Sequence, residues 1–67
     1  MNKYYVVVGV CRYTGTQEII NGFYTRVEAV EEAACNKHTH KCLRVVAIED
    51  TLEAMNALIT QLNSIGD

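Results

Sequence analysis

The chain has 67 residues, 49% of them hydrophobic and 21% charged, with a formal net charge of −2. That length allows a single domain over residues 1–67 with one small core, and the composition is too apolar for disorder and too interrupted for a membrane span. Eight acidic against six basic residues exclude a dominant electrostatic grip on nucleic acid, and three cysteines fit no closed disulfide framework.

Residues 4–10, Tyr-Tyr-Val-Val-Val-Gly-Val, carry no charge, so neither face of a strand built from them is written for water. A central strand over residues 3–12 is therefore expected. Alternation puts Tyr4, Val6, Val8 and Val10 on one face and Tyr5, Val7, Gly9 and Cys11 on the other. Residues 13–16 read as a hairpin turn, because Gly15 takes a positive φ without steric cost. A second strand follows over residues 17–24, with Gly22 read as the site of a bulge.

Thr25, Arg26, Val27 and Glu28 form a capping-box pattern that opens a helix ending at residue 36 or 37. Val27, Val30, Ala33 and Ala34 share one side at helical spacing and are expected inward; Glu28, Glu31, Glu32 and Cys35 fall outward. The inward stripe is small, which predicts a helix lying close to the sheet. Residues 37–41 read as a polar connection and residues 42–49 as a third strand. Asp50 is read as the cap of a second helix, with Glu53 in its first turn. Leu52, Met55, Ile59 and Leu62 form its apolar stripe, Leu58 and Ile65 widen it, and Gly66 is the expected stop.

The element order ββαβα predicts an α+β domain. A right-handed crossover through the first helix places the third strand beside the first, giving a mainly antiparallel three-stranded sheet of order 2-1-3 packed with two helices. Both helices are expected on one face of that sheet. The other face would then be an uncovered apolar surface, and such a surface on a small protein predicts a homodimer. One helix on each face is the alternative, and it would hide the surplus within a monomer.

Four side chains of zinc-ligand type, Cys35, His38, His40 and Cys42, fall within residues 35–42. A tetrahedral site needs four such ligands, so zinc is the one candidate cofactor, against a plain solvated loop with ordinary thiols. No cofactor is otherwise called for. Cys11 lies mid-strand and reads as a small buried hydrophobe, the glycines form no phosphate-binding loop, and no carboxylate pair points to a cleft, so no enzyme is expected.

The tyrosine-rich opening hairpin, with Tyr4, Tyr5, Tyr13 and Tyr24, followed by a helix, resembles in element order the small hybrid-binding domain at the N-terminus of some ribonucleases H. That family's basic residues and tryptophan have no counterpart here, so the resemblance implies a shared architecture and carries no nucleic-acid contact to any position. The expected function is a non-enzymatic protein-protein interaction module, self-associating and binding another protein as target. In style it fits an inhibitor or adaptor of host machinery or defence encoded by phages and mobile elements. Tyr4, Val6, Val8, Tyr13, Glu28, Glu31, Glu32, Lys37, Lys41 and Arg44 are the interaction candidates. A zinc-binding domain using residues 35–42 and a nucleic-acid accessory module are the alternatives. No membrane partner is expected, and with no secretory leader opening the chain a cytoplasmic location is.

Overall fold

A computed structural model describes residues 3–65, with side chains described as far as residue 63. The elements are β1 (Lys3–Cys11), β2 (Gln17–Phe23), α1 (Arg26–Cys35), β3 (His40–Glu49) and α2 (Leu52–Ile65). The uncharged run becomes the central strand of a sheet ordered β2-β1-β3, with both neighbours antiparallel to it. Val6, Val7 and Val8 are the largest fully buried side chains, so β1 is covered on both faces, as its composition requires.

The register shows what covers each face. Residues directly opposite one another across antiparallel strands project to the same side. Val6 opposes Val46 and Tyr4 opposes Ile48. This side packs on α2: Val6, Val8, Leu58 and Leu62 form one buried cluster, with Tyr4, Ile19, Val46, Ile48 and Met55 around it. On the other side Val7 opposes Val45 and Asn21, and Tyr5 opposes Ala47 and Phe23. There α1 packs against all three strands through the fully buried Ala29 and does not approach α2.

The helices therefore lie on opposite faces, in three layers. Principal extents of 36 × 27 × 12 Å agree, the smallest being the width of three strands at about 4.8 Å spacing. The expectation that both helices share one face, leaving the other bare, is corrected. Apolar side chains leave both sides of β1, and one helix on each side removes both sets from water.

The helices differ in how they reach the sheet. In α1 the inward side is Ala29, with Glu32, Ala33 and Asn36 half-buried, while Val27 and Val30 are exposed. Of the expected inward stripe Ala33 does face the sheet, while Val27, Val30 and Ala34 are turned toward solvent and Glu32, expected outward, is half-buried. Small inward residues let the α1 backbone come closer to the strands than that of α2, as the sequence predicts. The α1 cap is also as predicted: the Glu28 amide donates to Thr25 Oγ1 at 3.3 Å, and the Thr25 hydroxyl donates to Glu28 Oε1 at 2.7 Å.

In α2, Leu58 and Leu62 are buried and Met55 packs beside them, whereas Leu52 and Ile59 remain exposed. Thr51 rather than Asp50 caps this helix, its hydroxyl oxygen accepting from the Ala54 amide at 3.1 Å. The side chain of Ile65 and the expected stop at Gly66 lie outside the described residues.

Both edge strands carry an irregularity in register against β1. On β2, Val7 pairs with Asn21 but Val8 with Ile19, so Ile20 is the extra residue. On β3, Val8 pairs with Arg44 but Val10 with Lys41, so Cys42 and Leu43 together face Gly9. Cys42 has a φ of 53°, the left-handed region that a bulge residue adopts. Gly22 is not the bulge site expected of it. It pairs with Val6, and a Cβ there would run into the Tyr4 ring lying across it.

Candidate functional site

The two bulges decide which polar side chains meet. Without the extra residue on β2, Val10 rather than Gly9 would oppose Glu18, and Glu18 would share the α2 face. Without the extra residue on β3, Lys41 rather than His40 would oppose Cys11. Each bulge shifts its strand by one residue, and each shift turns one side chain onto the face where Cys11 stands. Cys11, Glu18 and His40 thus converge from three strands, with their ligand-type atoms all within 4.8 Å of one another.

The cluster has a defined hydrogen-bond frame. His40 Nε2 lies 2.8 Å from Glu18 Oε1, and His40 Nδ1 lies 2.8 Å from Thr39 Oγ1. The imidazole is mostly covered and the Glu18 carboxylate half-exposed. The Cys11 thiol is held below its ordinary pKa, first by a hydrogen bond from the Thr14 hydroxyl and then by the backbone amides of Thr14 and Tyr13. Gly9 makes room beneath: a Cβ there would lie 2.8 Å from Leu43 Cδ2 and 3.1 Å from His40 Cβ. The segment above is pinned by the Arg12 amide to the Thr39 carbonyl at 3.0 Å and by Arg12 Nε to the Lys37 carbonyl at 3.1 Å.

The four ligands read from the sequence are not gathered. β3 begins at His40, two residues earlier than expected, which carries His40 into the sheet. Among the described residues, the group of ligand-type side chains that converges is Cys11, Glu18 and His40, without Cys35, His38 or Cys42. Cys35, His38 and Cys42 are exposed. Cys11, expected to be a small buried hydrophobe, is only half-buried, and Cys42, the first residue of the expected third strand, sits exposed at the bulge.

The interaction candidates divide. Val6 and Val8 lie in the core beneath α2, and Tyr4 is half-buried, its ring packed edge-on against Tyr24 at 5.1 Å. A partner could reach Val6 and Val8 only by removing α2, so they are not surface contacts. Tyr13 projects from the hairpin and is 86% exposed. Glu28 and Glu31 are exposed on α1, Glu32 is half-buried, and Lys37, Lys41 and Arg44 are exposed. Arg44 donates to Gln17 Oε1 at 3.3 Å.

The surface feature that sequence reasoning missed is the outer side of α1. Val27 and Val30 are 67% and 50% exposed, with exposed Ala34 one turn further on and Glu28 and Glu31 beside them. The spacing of this stripe was legible, but its direction was not. No helix among the described residues is long and apolar enough to cross a membrane. The chain matches no protein-family model, no curated protein and no solved structure, so its function is argued from its own residues.

Proposed function

We propose that the chain is a small non-enzymatic protein-binding module whose contact surface is the outer side of α1. The observation that carries this reading is the stripe Val27, Val30 and Ala34, which stands away from the sheet while the inward side of the same helix is filled by Ala29. Apolar residues repeating at helical spacing on a solvent-facing side suit a helix face that docks against another surface.

The acids beside the stripe set the chemistry of the partner. Glu28 and Glu31 favour an apolar contact rimmed by lysine or arginine. A second copy of this chain would set glutamates against glutamates along the helix, so we infer a different protein as the target. The module acts on that protein as an inhibitor or adaptor.

The test is capture by immobilised wild-type chain, by the Val27→Glu/Val30→Glu double variant and by Glu31→Lys, with circular dichroism confirming that each is folded. Proteins held by the wild type should be lost with the double variant and weakened with Glu31→Lys. Retention of the same proteins by all three would sink the reading. A wild-type dimer in native mass spectrometry that becomes monomeric in the double variant would replace the foreign partner with a second copy.

A further inference from the structure

We propose that Cys11, Glu18 and His40 bind one divalent transition-metal ion of the zinc type, leaving a coordination position open to water or a fourth ligand. The donor set is a thiol, a carboxylate and an imidazole, whose atoms already lie within 4.8 Å of one another. As thiolate and carboxylate, two of them neutralise a dication, and this mixture of sulfur, oxygen and nitrogen donors is one that zinc accepts.

Placement on the sheet is the stronger argument. Each ligand comes from a different strand: Cys11 directly opposes His40, and Glu18 opposes Gly9 two residues before Cys11. Cys11 and His40 stand at strand ends fixed by turn hydrogen bonds: the Cys11 amide donates to the Thr16 carbonyl at 2.9 Å, the Gly15 amide to the Cys11 carbonyl at 2.8 Å and the His40 amide to the Asn36 carbonyl at 2.9 Å. Two separate departures from regular alternation, at Ile20 and at Cys42, are needed to place Glu18 and His40 on this face. The second holds a non-glycine residue at a φ of 53°, a conformation that L-residues adopt at a steric cost. Bulges that re-aim side chains in this way are over-represented beside functional sites.

The surrounding groups suit ligation. A metal-bound histidine normally donates its other ring N–H to an oxygen, which fixes its orientation. With a metal on Nε2, Nδ1 carries the proton and donates to Thr39 Oγ1 at 2.8 Å, whose own hydroxyl reaches the Asn36 carbonyl at 3.4 Å. This site shares only His40 with the set read from residues 35–42, and it does not depend on the α1 surface.

The test is titration of the reduced full chain with cobalt(II), read by its ligand-field spectrum and near-ultraviolet thiolate charge-transfer band, then displacement by zinc(II). One ion per chain is expected, with a charge-transfer band that disappears in Cys11→Ser. His40→Ala and Glu18→Gln should each weaken binding at least about tenfold. Glu18→Gln keeps a hydrogen-bond partner for His40, so loss of binding there is not explained by loss of fold. Cys35→Ser and Cys42→Ser should leave the spectrum unchanged. Absence of the band in wild-type protein, or a band that survives Cys11→Ser and vanishes with Cys35→Ser or Cys42→Ser, would overturn the assignment.

Discussion

The two faces of the sheet are built on opposite plans. Under α2, side-chain bulk does the work: Val6, Val8, Leu58 and Leu62 interdigitate, and Tyr4 lies across Gly22. Under α1, backbone shape does it: Ala29 and Gly9 let chain approach chain, and both bulges bring polar groups to this side. A face filled by large apolar side chains loses transfer energy and gains a cavity when one is truncated. A face built on close approach can also lose bulk, at Val7, but has no room to gain any. Both faces hold buried core, and the second also carries the polar cluster at one end and outward valines on its helix.

The largest effect should come from removing bulk on the α2 side. Leu62→Ala should cost about 2–5 kcal/mol, enough to leave a domain of this size largely unfolded at room temperature. Urea denaturation followed by circular dichroism measures it, and Val30→Ala on the outer side of α1 should shift stability by no more than about 0.5 kcal/mol. Equal losses at the two positions would erase the contrast.

Adding bulk on the α1 side should rank next. Ala29→Leu should destabilise by about 1–3 kcal/mol, because the helix must lift from all three strands to admit the side chain. A neutral result in the same denaturation assay would mean that α1 is not closely seated. The smallest effect concerns backbone shape alone. Cys42→Gly relieves the left-handed conformation but loosens the unfolded chain, so it should change stability by under about 1 kcal/mol, in the favourable direction. A clear loss in denaturation midpoint would show that the Cys42 side chain, rather than its backbone, holds the bulge.

Much of this architecture is legible in the sequence because it depends on local signals. The uncharged run of β1 marks a central strand, Thr25 with Glu28 marks a helix start, and the crossover rule orders the sheet as observed. What escapes is set by pairing between distant residues. A glycine is a visible hint of a bulge, yet Gly22 serves to admit the Tyr4 ring, whereas the bulges fall at Ile20 and Cys42, whose side chains announce nothing. Cys11, Glu18 and His40 lie far apart in the chain, and regular alternation would not place them on one face. The direction of α1 was obscured because the greater hydrophobicity of valine points Val27 and Val30 inward, whereas close approach of the helix to the sheet favours the smaller Ala29.

Both bulges lie on the outer strands of an open sheet, and this has a consequence apart from any ligand. β2 and β3 each turn one unpaired edge to the surroundings, and an unbroken edge invites another chain to add a strand. The interruption at Ile20 and that at Cys42, the latter between Lys41 and Arg44, break the regular run of backbone donors and acceptors on each edge. The irregularities that gather the polar cluster thereby also guard the sheet against stacking edge to edge into aggregates.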